Sequence, residues 1–356
     1  MTLCIGLMSG TSADGMDVCL VKFDGQTPTL IDALCIDYPD DVSRFFKALA
    51  VSESLSAELV MDADRLIAQY AVEAVAALLN KTGHTSDDIT LIGSHGHTLR
   101  HRPQPDGFSW QIGDPNWIAE HTGITCIADF RRRDIAAGGQ GAPLVPAFHQ
   151  AVLGSRRNTA ILNIGGIANL TLLDETTTGF DTGPGNALMD EYCQRALSIS
   201  CDRGGAIAAT GTVQQELLDT WLQHPYYAEP APKSTGRECF HLDGIATDLT
   251  PYADKDVLRT LCELTAITVA EQIPENTQYL YVCGGGVHND FLMTRLKALL
   301  PYCQIESTEA VGIHPDWMEA MAFAWLGQQT LLAASGNLPA VTGAAGPRIL
   351  GGIFQK

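Results

Sequence analysis

TAILNIGGIANLTLLD, residues 159–174, reads as an apolar strand, a glycine turn and a second strand of alternating character. Apolar and β-branched runs on either side of a short Gly-containing turn are the signal of a β-hairpin. The same pattern opens the chain. In LCIGLMSGTSADGMDVCLVKFD, residues 3–24, the apolar run Leu3–Ser9 and the alternating run Val18–Asp24 flank the turn GTSADG. Gly10 and Gly165 stand 155 residues apart in a chain of 356. The chain therefore reads as two similar lobes, each opened by a hairpin, because a solenoid would repeat every ~20–50 residues.

Working outward, Thr29–Tyr38 is strand-like and Ala57–Lys81 keeps apolar residues at helical spacings. Ile89–Gly93 is a buried-strand candidate that delivers Ser94–Thr98 at its C-terminal end. After the second hairpin the pattern predicts helices over 187–197, 213–222 and 257–273. A strand over 278–283, a turn at Gly284–Gly286, a helix over 290–300, a strand over 305–310 and a helix over 317–334 follow. Strands and helices alternate throughout, so the class is α/β. The expected division is 1–130 for the N-terminal lobe and 131–356 for the C-terminal lobe, with the last residues free to pack back on the first.

Composition narrows the function. Hydrophobic residues make up 46% and charged residues 18%, which excludes a disordered or collagen-like chain. The formal net charge of −19 repels phosphate backbones and anionic lipid, so neither nucleic acid nor membrane is expected as a partner. Ten cysteines without a C-x-x-C pair argue for small core residues rather than zinc ribbons or redox dithiols. No apolar run approaches ~18 residues and the N-terminus lacks a signal-peptide pattern, so a cytoplasmic protein is expected.

Four clusters combine glycine with small polar residues at strand ends: Gly10–Asp17, Asn163–Asn169, Asp181–Asn186 and Gly284–Asn289. Glycine admits close approach to a ligand, and amides in such turns form an anion-binding concavity. Neither G-x-x-x-x-G-K-[ST] nor G-x-G-x-x-G occurs, which leaves phosphate binding by hairpin turns, with Asp14 or Asp17 able to hold Mg²⁺. Asp181, in a glycine/proline turn, suits a general base and equally a helix cap or Asx-turn. His95, His97 and His101 lack the third spaced ligand of a zinc site. Arg131–Arg133 is the one basic triplet, and one arginine there could turn to a substrate carboxylate or phosphate. The direction of Glu319 stays open.

Taken together and in order, IGLMSGTSADGMD, SHGHTLRH, QIGDPNWIAEHTGI, ADFRRRDIAAGGQGAPLVP, LNIGGIANLT, GFDTGPGNALMDE, PKSTGRE, CGGGVHN and PDWMEAMAFAWL resemble the anhydro-N-acetylmuramic acid kinase family over essentially the whole chain. The resemblance implies two related lobes of ribonuclease H-like/actin-like type flanking an ATP cleft. It also implies a homodimer that opens 1,6-anhydro-N-acetylmuramic acid with water, phosphorylates O6 from ATP and serves cell-wall sugar recycling. Asp181 would be the catalytic base. Gly10, Thr11, Ser12, Ala13, Asp14, Gly15, Met16 and Asp17 would form the first phosphate hairpin. Asn163, Gly165 and Gly166 would form the second, with Gly284, Gly285 and Gly286 near the nucleoside. His95, Arg131, Asp134 and Glu319 are the implied sugar contacts. His97 departs from the glutamine usual in the family segment. Another sugar or acetate kinase, and a non-enzymatic nucleotide switch, are the competing readings.

Overall fold

The computed structural model describes residues 1–52, 54–102, 107–231, 233–236, 239–245 and 248–356. Two compact units are present, one of Met1–Leu153 with Trp317–Lys356 and the other of Gly154–Asp316. The division thus falls at 153/154, not at the expected 130/131. Residues 131–153 belong to the first unit because Asp134 hydrogen-bonds Asn337 and Thr342, and Phe148 packs 6.0 Å from Trp325.

Among the described residues the strands are β1 (Thr2–Ser9), β2 (Gly15–Asp24), β3 (Thr27–Asp37), β4 (Leu91–Arg102), β5 (Phe108–Ile112), β6 (Cys126–Ala128), β7 (Thr159–Ile164), β8 (Ile167–Leu173), β9 (Thr178–Pro184), β10 (Tyr279–Cys283), β11 (Gln304–Ser307) and β12 (Gly352–Phe354). The first unit holds one sheet in the order β12-β6-β4-β1-β2-β3, with β5 paired to β4. The second holds β11-β10-β7-β8-β9. In the first, β1–β2 and β2–β3 are antiparallel while β1–β4 and β4–β6 are parallel. In the second, β7–β8 and β8–β9 are antiparallel while β7–β10 and β10–β11 are parallel. The five-strand arrangement β3-β2-β1-β4-β6 therefore recurs as β9-β8-β7-β10-β11. What the two hairpins announce is a repeat of the whole sheet.

Burial explains the local choices. After the half-exposed Thr2 and Leu3 every residue of β1 is buried: Cys4 to Ser9 are covered on both faces, as central strands of mixed α/β sheets are. Ile5 and Leu7 join a core with Ile67, Ala71 and Val75 from the helix Ala57–Thr82, which ends on left-handed Gly83. Against the same sheet lies the helix Met318–Leu331, buried on nearly all sides. Its approach depends on missing side chains. A Cβ on Gly6 would sit 1.8 Å from the Ala320 carbonyl oxygen, and one on Gly93 would sit 2.0 Å from that of Phe323. In the second unit, Leu162, Leu170, Val282, Leu261 and Leu264 belong to a separate core that includes the helix Asp254–Ala270.

Two elements differ from the sequence reading in ways that affect the site. Ser94–Thr98 do not follow a strand but lie inside β4, which continues to Arg102. Asp181 is not in a turn but in β9, opposite Asn169 and next to a bulge between Ala168 and Asn169. The glycine/proline content that suggested a turn is tolerated because β9 is the edge strand of its sheet.

Candidate functional site

In the second unit three of the four glycine clusters come together. The amide of Gly185 donates to Gly166 O at 2.9 Å, and that of Asn186 to Gly165 O at 2.8 Å. Asn186 Nδ2 reaches Ile164 O at 3.3 Å. A Cβ on Gly284, which has φ +78°, would lie 2.3 Å from Asn163 Oδ1. Asn163, Gly165, Gly166, Gly284, Gly285 and Gly286 therefore gather at one end of β7 and β10, where Gly285 and Gly286 open a single 3-10 turn. A Cβ on Gly286 would likewise meet Ile164 Cγ2 at 2.3 Å and one on Gly185 the Gly165 carbonyl oxygen at 2.4 Å, so side chains would not fit at Gly185, Gly284 and Gly286.

Asp181 is held at three points. Its amide donates to Lys233 O at 3.0 Å, its carbonyl accepts from the Tyr226 hydroxyl at 2.8 Å, and its Oδ2 accepts from Thr235 N at 2.8 Å. Lys233, only 5% exposed, directs Nζ to Tyr226 O and Tyr227 O at 3.2 and 3.3 Å. Burial pulls the Lys233 ammonium below its ordinary range, with Glu229 opposing. The sequence reading assigned no role to Lys233, Thr235 or Tyr226; PKSTGRE was the available signal. Pro232, Arg237 and Glu238 of that segment lie outside the described residues. Glu191 supports the following helix by accepting from Leu242 N at 2.9 Å and pairing with Arg195.

In the first unit the turn between β1 and β2 closes through Ala13 N to Gly10 O at 3.0 Å, and Ala13 adopts φ +50°. Ser12 Oγ donates to Asp14 Oδ1 at 2.7 Å. Thr11 and Asp14 are exposed, whereas the side chains of Ala13 and Met16 are buried in the core, so these two offer a ligand only backbone. Gly15 is required because a Cβ would meet Cys35 Sγ at 2.5 Å. The Cys35 thiol is pushed up by burial and then by Asp17, with Asp37 and Asp14 adding to it. Carboxylates of Asp14 and Asp17 thus share this end of the sheet. That donor set suits Mg²⁺, which takes one or two carboxylates and completes its shell with water and phosphate oxygens. Among the described residues no group of three His, Cys, Asp or Glu side chains is placed to hold a metal ion.

Beneath this turn, the Tyr38 hydroxyl donates to Ser9 Oγ at 3.0 Å and Ser9 Oγ lies 3.0 Å from His97 Nδ1. Burial lowers His97 to about 4, so the ring is neutral and shares one hydrogen bond with Ser9 through Nδ1. His97 braces the hairpin from below.

His95, Arg131, Asp134 and Glu319 are brought together in the first unit, in two different roles. Arg131 donates from Nε and Nη2 to His95 Nε2 at 3.1 and 2.9 Å, and from Nη1 to Gly141 O at 2.8 Å. His95 Nδ1 then donates to Gly96 O at 2.9 Å, so both ring nitrogens are engaged within the protein. Asp134 is wholly buried and accepts from Gly141 N at 2.8 Å, Asn337 Nδ2 at 2.6 Å and Thr342 Oγ1 at 2.8 Å. Arg131 and Glu319 remain half-buried. Burial lowers Arg131 to about 10, against the opposing charges of Glu319 and Asp134, and raises Glu319, with Arg131 opposing. A cation and a carboxylate thus face a partly sheltered surface, a combination suited to a ligand carrying both a carboxylate and hydroxyls.

The family model described as anhydro-N-acetylmuramic acid kinase matches residues 2–356. A protein of that name from Hahella chejuensis is 48% identical over 98% of this chain and 97% of its own. Another from Xylella fastidiosa is 48% identical over 99% of this chain and 96% of its own. Among solved structures, component A of the (R)-2-hydroxyglutaryl-CoA dehydratase of Acidaminococcus fermentans is 10% identical with a TM-score of 0.49, covering 91% of this chain and 97% of that one. That likeness is too slight to carry an argument. Among the described residues no helix is long and apolar enough to cross a membrane.

Proposed function

The chain belongs to the anhydro-N-acetylmuramic acid kinase family, and on that premise we propose that it uses ATP and water to convert 1,6-anhydro-N-acetylmuramic acid to N-acetylmuramic acid 6-phosphate. Asp181 takes a proton from water, which attacks the anomeric carbon from the face opposite the anhydro bridge, as the base of an inverting glycosidase does. The released O6 attacks the γ-phosphate in line as the bond from its phosphorus to the β–γ bridging oxygen breaks and ADP leaves, so that ring opening and phosphoryl transfer share one bound geometry.

ATP is taken by Gly10–Asp17 and by Asn163, Gly165, Gly166 and Gly284–Gly286, mainly through backbone amides. Asp14 and Asp17 would hold Mg²⁺, which supplies charge neutralisation at the phosphates. Arg131 meets the lactyl carboxylate and Glu319 the hydroxyls. His95 and Asp134 hold Arg131 and its segment in place. The observation that carries this reading is the three-point hold on Asp181, in the strand that leads directly into the converging glycine segments.

The test is product formation from anhydromuramic acid, ATP and Mg²⁺ in ¹⁸O-labelled water. Label in the anomeric hydroxyl of a 6-phosphosugar is expected, with a rate about 10²–10⁴-fold lower for Asp181→Asn. An unlabelled product would point instead to an ordinary hydroxyl acceptor. We further propose a homodimer in a reducing cytoplasm, in keeping with ten free cysteines; light scattering and fractionation check this.

A further inference from the structure

Resting on Asp181 as the base, the geometry points to Lys233 as a positioning residue that aims the Asp181 carboxylate through Tyr226. Lys233 acts on Asp181 from both of its ends. Its backbone carbonyl accepts the Asp181 amide at 3.0 Å. Its ammonium is bound to the carbonyls of Tyr226 and Tyr227 and lies 4.7 Å from the centre of the Tyr226 ring. The Tyr226 hydroxyl in turn reaches the Asp181 carbonyl at 2.8 Å.

Two segments therefore grip one strand residue. The 3-10 turn Pro225–Ala228 holds the Asp181 carbonyl, and the stretch 233–235 holds its amide and, through Thr235 N, its Oδ2. The Lys233 ammonium joins the turn to the stretch. Tyr227 adds a packing contact, since a Cβ on Gly183 would meet its ring at 2.8 Å. A cation buried to 5% exposure is expensive unless its donors are used, and here they are spent on two carbonyls and a ring face. Without them, turn and stretch lose one tie, and the Thr235 amide that donates to Oδ2 is held less firmly. A base displaced by about 1 Å costs as much as 10²-fold in rate.

The experiment compares Lys233→Met, Lys233→Arg, Tyr226→Phe and the Lys233→Met/Tyr226→Phe double variant of the full chain, with anhydromuramic acid and ATP as substrates. Lys233→Met is expected to lower kcat about 10- to 100-fold with KM for ATP within about twofold, because the hold acts on the base and not on the nucleotide. Lys233→Arg keeps the cation and recovers most of the rate. Tyr226→Phe loses less than Lys233→Met, and the double variant is no worse than Lys233→Met alone, since both break one chain of contacts. Losses that multiply in the double variant, or a wild-type kcat in Tyr226→Phe, would overturn the proposal. The latter result decides even where Lys233→Met fails to fold by circular dichroism, because Tyr226→Phe removes a single hydroxyl. Asp181→Asn is assayed alongside. Full activity there removes the base and this proposal together, whereas an inactive Asp181→Asn beside fully active Lys233 and Tyr226 variants removes only the positioning role.

Discussion

Arg131 and His95 form a fork in which two guanidinium N–H groups, at 3.1 and 2.9 Å, converge on one imidazole nitrogen. The pair fixes His95 as the neutral tautomer protonated at Nδ1, because Gly96 O accepts on the other side. Arg131 is thereby aimed without being neutralised. Replacement by lysine removes the fork while keeping the charge. Arg131→Lys should raise KM for the anhydrosugar about tenfold or more, as loss of a charge-assisted hydrogen bond of ~1.5–3 kcal/mol implies, and leave KM for ATP unchanged. Steady-state kinetics with each substrate varied in turn separates the two.

Asp134 is a structural strut in this arrangement. Asp134→Ala strands three buried donors, from Gly141, Asn337 and Thr342, and should cost about 3–5 kcal/mol of stability. Asp134→Asn, which keeps one acceptor oxygen, should cost less. Urea unfolding of both variants tests the order; equal and wild-type midpoints would contradict it.

Three buried histidines make the fold sensitive to acid. His97 is lowered to about 4 and His149 to about 3, in each case chiefly by burial, and His95 also lies well below its ordinary value. The folded values lie below the unfolded one of ~6.5, so the unfolded chain binds more protons between these limits. Stability is full above ~6.5 and falls as pH drops toward ~4, by ~1.4 kcal/mol per pH unit for each proton taken up. Unfolding free energies measured from pH 7 to pH 4.5 should show this slope, and His97→Gln should reduce it by about one proton.

Gly93 and Gly6 set how closely the helix Met318–Leu331 docks. Gly93→Ala places a methyl 2.0 Å from the Phe323 carbonyl, and the helix must shift or the sheet open. Overpacking of this kind costs typically ~1–3 kcal/mol. Since Glu319 rides on the first turn of that helix, the surviving folded protein should also bind the anhydrosugar more weakly. Calorimetric titration with the sugar reads this directly; unchanged affinity would separate Glu319 from sugar binding.

Asp17→Asn should raise the Mg²⁺ concentration for half-maximal rate by about tenfold, as loss of one of two carboxylate ligands implies. Chelator should abolish turnover in the unaltered protein. An unchanged Mg²⁺ requirement in both Asp17→Asn and Asp14→Asn would place the metal elsewhere.

Strand alternation and helical spacing are short-range properties, and they located both hairpins, the helix Ala57–Thr82, the helix Asp254–Ala270 and β10 to within a few residues. Elements without a local signal went unread. β6 and β12 have three residues each, too short for a period, and β9 is written in glycine, threonine and proline, which describe a turn until a neighbouring strand supplies the hydrogen bonds.

The order of the chain alone was enough to set two α/β lobes, each begun by a hairpin, and to single out Asp181, the glycine clusters and Arg131. Tertiary structure decided what those residues touch. Asn337 and Thr342 close on Asp134 from 203 and 208 residues away, and Thr235 meets Asp181 across 54. Such contacts leave no periodic trace in the sequence, because hydrogen-bond partners at that range are chosen by how sheets and helices pack and not by the spacing of residues along the chain.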